Sequence, residues 1–102
     1  MAVVEAPVER VWDLVTSPDE YGRWTDATLV GAEPPGAARS GQRLRLMTSA
    51  LGHAFRVDMS VLDVDAERRS LRLLIRLPFG LVNDETITVV PAGGDRTIVR
   101  FG

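Results

Sequence analysis

His53 is the one side chain of this sequence whose intrinsic pKa lies near neutrality, so proton transfer at physiological pH would have to start there. A general acid or base needs a partner that orients it, and strand alternation puts Thr48 and Glu85 on the same inward face, with Asn83 joining them if its strand starts early. Polar groups converging on the rim of an apolar face match the usual anatomy of a small-molecule site. The competing reading makes His53 a water-exposed residue beside a turn, because no spacing around it marks an orienting base. By the same logic Glu85 is a solvated or salt-bridged carboxylate.

Other chemistries are closed off by composition. There is no cysteine, which removes disulfides, thiolate catalysis and cysteine-held metal, and a lone histidine cannot form a multi-histidine site. Asp63, Asp65 and Glu67 lack the glycine and terminal glutamate of a calcium loop and read, with Arg68 and Arg69, as a solvated hairpin end. No metal and no cofactor is expected. All twelve basic residues are arginines, scattered against fourteen acids for a net charge of −2, so neither a nucleic-acid stripe nor a polybasic membrane patch is present. No apolar run approaches the roughly 18 residues of a membrane span, and the N-terminus lacks the order of a signal peptide. The expectation is one cytoplasmic domain over residues 1–102, with 45% hydrophobic residues to build its core.

The elements that would position a site can be read from spacing. Val8, Val11, Trp12 and Val15 recur at i, i+3, i+4 and i+7, the buried stripe of a short helix with Pro7 at its first position and Glu9 in its first turn. Thr16-Ser17-Pro18 stops it, and Ser17 is expected to cap a second helix through a capping box with Glu20. Tyr21 and Trp24 give that helix its apolar side, and both read first as core.

After Trp24 the period changes from helical to alternating. A strand is expected over Ala27 to Ala32, a loop over Pro34 to Ala38, and a new strand opening at Gly41. Leu44 and Leu46 alternate with Arg43 and Arg45; beyond a turn at Ser49-Ala50-Leu51-Gly52, Phe55, Val57 and Met59 alternate with Arg56, Asp58 and Ser60. Pairing Thr48 with His53 sets Leu46 opposite Phe55 and Leu44 opposite Val57, with Arg43 opposite Asp58 as a surface pair. A bulge near Val61 then explains the slip in pattern, turning Leu62 and Val64 inward. Val64 pairs with Leu71, and Leu73, Ile75 and Leu77 follow inward while Arg72 and Arg76 face water. Pro78-Phe79-Gly80 ends that strand, Ile87 and Val89 mark another, and Thr97 to Phe101 form the last, after the turn at Pro91-Ala92-Gly93-Gly94-Asp95.

Two N-terminal helices carrying A-P-x-x-x-V-W-D-L (Ala6, Pro7, Val11, Trp12), a following Tyr21-x-x-Trp24, a strand opening at Gly41 and a Gly-Gly-Asp-Arg-Thr turn in a meander resemble the START-like, or SRPBCC, superfamily. The nearest resemblance is to its polyketide cyclase/dehydrase and lipid transport group. What the resemblance implies is an α+β helix-grip fold, in which a curved antiparallel sheet wraps a long C-terminal helix around a hydrophobic ligand. Trp24, Leu44, Leu46, Phe55, Val57, Met59, Leu71, Leu73, Ile75, Ile87 and Val89 would line that cavity. The sequence stops at Gly102, where the family continues into the gripping helix, and Met1 to Val4 correspond to the stump of its first strand. Without that helix the ten sheet residues of this set and Phe101 are expected to lie bare, at a cost on the order of 10 kcal/mol even after halving for what the two small helices cover. Either a longer chain or a partner surface, a second copy included, would then supply the lid.

Three functions are open at this point. A binder of a lipid or polyketide-like molecule needs only the cavity, and the almost wholly aliphatic interior favours it over catalysis. A polyketide cyclase, aromatase or dehydratase would use His53 to move the proton of an enolisable carbonyl while Thr48 orients the oxygen. A protein-interaction module would use the exposed sheet as a docking surface.

Overall fold

A computed structural model describes residues 1–50 and 52–102. Seven antiparallel strands form one sheet: β1 (Ala2–Val4), β2 (Ala27–Glu33), β3 (Arg43–Ala50), β4 (His53–Asp65), β5 (Ser70–Arg76), β6 (Val82–Pro91) and β7 (Thr97–Phe101). Their spatial order is β1-β7-β6-β5-β4-β3-β2, so every consecutive pair from β2 to β7 is a hairpin and β1 adds to the far edge. The helix α1 (Val8–Val15) and a 3-10 helix (Pro18–Arg23) carry the chain from the β1 edge to the β2 edge.

Alternation sorts the side chains of this sheet onto two faces. The inner face carries Leu44 and Leu46 of β3, Val57 and Val61 of β4, Leu71 and Leu73 of β5, Ile87 and Val89 of β6, and Val99 of β7. All are buried, in one cluster with Val11, Trp12 and Val15 of α1 and Tyr21 of the 3-10 helix. The outer face carries Arg43, Arg45, Arg56, Asp58, Arg72 and Arg76. Most of the inner face is therefore covered: Leu44, Leu46, Val57, Leu71, Leu73, Ile87 and Val89 were expected to lie bare, yet the two N-terminal helices and the neighbouring strands bury them. Phe55, Met59 and Ile75 are half-buried, and Phe101 keeps 48% of its surface.

Local details depart from expectation for identifiable reasons. Pro7 is the residue before α1 and not its first member, and its carbonyl accepts from Arg10 and Val11 N–H. Ser17 does precede the second helix with Pro18 behind it, but no capping box forms: the Ser17 hydroxyl donates back to Asp13 O, and Glu20 pairs with Arg23 at 3.0 Å. The β3–β4 register is tighter by two residues, pairing Ala50 with His53, Thr48 with Phe55, Leu46 with Val57 and Leu44 with Met59. Arg45, and not Arg43, consequently faces Asp58. The expected four-residue turn there includes Leu51, outside the described residues.

A bulge does fall between Val61 and Asp63, but it works in the opposite sense for its neighbours: Val61 turns inward at 1% exposure and Leu62 outward at 40%. Val64 pairs with Leu71 as expected. Leu77 lies past the end of β5 and is exposed. A second bulge, between Leu29 and Gly31, keeps Leu29 and Ala32 both over the inner face.

Candidate functional site

The inner face divides into a roofed part and an open part, and the roof is built from the N-terminal quarter. Val11, Trp12 and Val15 drop onto the sheet because three- and four-residue steps return them to one side of α1. Glu9, on the exposed side, forms an ion pair with Arg69 in the β4–β5 turn and ties the start of α1 to that end of the sheet. The β7 residue Thr97, fully buried, donates from its hydroxyl to Ala6 O at 2.7 Å and fixes the same junction from below.

Tyr21 holds the second helix to the first. Its ring is buried, its hydroxyl donates to Val15 O at 3.0 Å, and burial pushes its pKa up to about 12. Trp24 meets the Tyr21 ring edge-on, centroids 5.3 Å apart at 77°. The Trp24 side chain is half-buried against the core, and its indole N–H is shielded from water yet has no acceptor among the described residues.

The open part lies beyond that roof, where Met59 and Ile75, paired across β4 and β5, are half-buried; Phe55, two same-face steps further along β4, is half-buried too, and Phe101, opposite Ile87 at the end of β7, is exposed. Two polar residues border it. Glu85 sits opposite Leu73 and Asn83 opposite Ile75, both on the inner face, with Asn83 Nδ2 donating to Glu85 Oε2 at 3.1 Å. Alternation had placed both correctly. The β5–β6 connection follows at this end with Leu77, Phe79 and Leu81, all exposed, whereas Val82 opens β6 opposite Arg76 on the outer face. Phe79 is the extreme case, 91% exposed and at φ 67°, a left-handed backbone that a bulky side chain rarely adopts.

The expected convergence of Thr48, His53 and Glu85 does not occur. β4 has thirteen residues and β5 seven, and β5 ends opposite Asp58, so the β3–β4 hairpin runs on past its neighbour. Glu85 sits opposite Leu73 and Leu73 opposite Val61, and the stretch of β4 from His53 to Val61 spans roughly 26 Å at the rise of a strand. His53 is exposed, with Phe55 as its ring neighbour at 6.4 Å. The Thr48 hydroxyl donates to Asp26 O at 3.2 Å, tying β3 to the start of β2.

Sequence reading missed Gln42. It is fully buried, and its Nε2 donates to Pro34 O at 2.8 Å and Gly36 O at 3.1 Å, pinning the β2–β3 loop. Its position two residues before Leu44 was the available signal, since the parity that turns Leu44 inward turns Gln42 inward too. Gly41, at φ +89°, makes the turn that delivers it.

Among the described residues there is no group of three potential metal ligands, and no helix is long and apolar enough to cross a membrane. Two surface grooves lie away from the inner face, one of about 430 Å³ on the outer face of β2–β5 and one between α1 and the 3-10 helix. A family model described as polyketide cyclase / dehydrase and lipid transport matches residues 2–102. No curated protein and no solved structure matches the chain.

Proposed function

The chain belongs to the polyketide cyclase/dehydrase and lipid transport family, and from that premise we propose that it binds an apolar small molecule, lipid or polyketide-like, against the open part of its inner face. The observation that carries this reading is the half-buried strip of Met59 and Ile75, paired across β4 and β5 and packed against the buried core, with Asn83 opposite Ile75 and bonded to Glu85, and with Phe55 and Phe101 part-exposed further out on the same face. Apolar side chains left part-wetted gain about 25 cal/mol for each Å² a guest covers. The Asn83 amide and Glu85 carboxylate then receive the guest's polar end, and Leu77, Phe79 and Leu81 of the β5–β6 connection extend the oily surface past the sheet. The unpartnered Trp24 N–H is a second donor for a guest that reaches beneath the Tyr21–Trp24 pair.

Binding is favoured over catalysis because His53 and Glu85 are too far apart along the register to act on one carbonyl. Native mass spectrometry of the protein purified from its host tests the reading. The expected spectrum carries an added mass of a few hundred daltons that extracts into organic solvent. Ile75→Glu, which puts a charge in the strip, should remove that mass while leaving the circular dichroism of the sheet intact. A guest retained equally by Ile75→Glu, or no guest and no uptake of added oleate or anthraquinone by the purified protein, overturns it.

A further inference from the structure

The outer face of β2–β5 carries a feature that binding on the inner face does not use. Arg45, Asp58 and Arg76 lie side by side across β3, β4 and β5, with Gly31 of β2 completing the row. Arg56 lies one same-face step to one side and Arg43, opposite Ser60, one step to the other, so four guanidinium groups line the groove of about 430 Å³. Two carboxylates, Glu33 and Asp58, share it with them. Asp58 is taken by Arg56 at 3.2 Å, and Arg76 donates to Ser60 Oγ at 3.0 Å. Arg43 and Arg45 have no carboxylate within 4.0 Å among the described residues.

We propose that this groove is a binding site for a small phosphate-bearing molecule, held by Arg43, Arg45 and Arg76. Like charges on neighbouring strands repel, and a chain of net charge −2 has no general need to gather four cations in one groove. A guanidinium presents a planar fork that grips phosphate oxygens in pairs, which a point charge does not. Position 31 adds a steric argument. The Arg45 guanidinium lies directly over Gly31, where a Cβ would stand 2.5 Å from Nη2, so the missing side chain leaves the space that lets Arg45 lie flat in the groove. The occupant is small because the cationic rows span about 14 Å and end at Glu33 and, beyond Ser60 and Leu74, at Asp84. A nucleic-acid backbone would run off the arginines within that length.

Titration of the 15N-labelled protein with sodium pyrophosphate, at ionic strength held constant with sodium chloride, tests this. Saturable shifts confined to the amides of residues 43–47, 56–60 and 74–76 and to the guanidinium N–H of Arg45 and Arg76 are expected, half-complete below about 10 mM. Arg45→Gln should weaken binding about tenfold or more, the effect of losing a charge-assisted pair. Gly31→Ala should weaken it severalfold with no change of charge, a result that nonspecific attraction would not give. Arg72→Gln, whose guanidinium is occupied by Asp84 outside the groove, should leave affinity unchanged. Shifts reproduced by chloride alone, shifts spread over all twelve arginines, or response to phosphatidylserine vesicles without response to pyrophosphate would each overturn the site.

Discussion

Leu71 and Ile75 are four residues apart on one strand, point from the same face and are both branched aliphatics, yet their surroundings differ sharply. Leu71 is 0% exposed, on the part of the sheet roofed by the N-terminal helices, whereas Ile75 is half-buried where that roof has ended. The roof is short because α1 has eight residues, about 12 Å, while the sheet beneath it is much longer along β4. One continuous apolar face thus serves two ends: the roofed part holds the molecule together, and the open part remains available to a guest. Polar groups follow the same division. Thr97, Gln42 and the Tyr21 hydroxyl lock the roofed part through backbone carbonyls, whereas Asn83 and Glu85 in the open part bond to each other.

The sharpest way to break this comparison is to truncate both aliphatics. Leu71→Ala should destabilise the fold by about 2–5 kcal/mol, since a cavity opens in a packed site. Ile75→Ala should cost less, about 1–2 kcal/mol, because part of its surface contacts water already. Urea denaturation of the two variants checks this, and equal losses would mean that the two parts of the face are not different.

How the face divides was only partly legible in the sequence. Alternation identified the inner set from Leu44 to Val89 apart from the bulge at Val61–Leu62 and Leu77 at the end of β5, because a strand's two-residue period is strict and each mismatch exposes an oily side chain. It could not fix the β3–β4 register, since sliding by two residues preserves every inward position; Ser49 and Ala50 carry no pattern that marks the tighter turn. That slip moves Thr48 from His53 to Phe55, while the length of β4 past the end of β5 is what separates His53 from Glu85. The bulge was visible as a break in pattern, but whether Val61 or Leu62 turned inward depended on the Gly41–Val61 and Val61–Gln42 backbone bonds, which no local rule reveals. The roof was underestimated for a similar reason. Eight helical residues look too few to cover a sheet until Trp12 and Tyr21 are seen to bury most of their rings.

A second test sharpens the comparison through pH. The Tyr21 pKa is about 12 in the folded chain against about 10 when unfolded. Between those values the folded state keeps a proton that the unfolded state has released, so stability falls as pH rises from about 10 and the loss levels off near 12. The full loss is on the order of 2–3 kcal/mol. Thermal unfolding at pH 9 and pH 11.5 measures it, and Tyr21→Phe should remove this part of the alkaline loss while itself costing about 1 kcal/mol at neutral pH from the hydrogen bond to Val15 O. A Tyr21→Phe variant with the same alkaline decline as the parent would detach the roof's stability from this residue.

The smallest expected effect on stability falls at Phe101, and there the two parts of the face should separate most cleanly. Phe101 sits opposite Ile87 on β7 with 48% of its surface in water, so Phe101→Ser gives up only the buried half of its contact, about 1 kcal/mol. If the guest's wall extends along this face to Phe101, that same change removes one of its largest apolar surfaces and introduces a hydroxyl where the guest's body would lie. Guest binding should then drop severalfold while the urea midpoint moves far less than in Leu71→Ala. Leu71→Ala supplies the opposite pattern, a large fall in stability at a residue no guest can touch. A Phe101→Ser protein that unfolds as easily as Leu71→Ala would show that the last strand belongs to the roofed part after all, and the guest would have to be sought nearer Trp24.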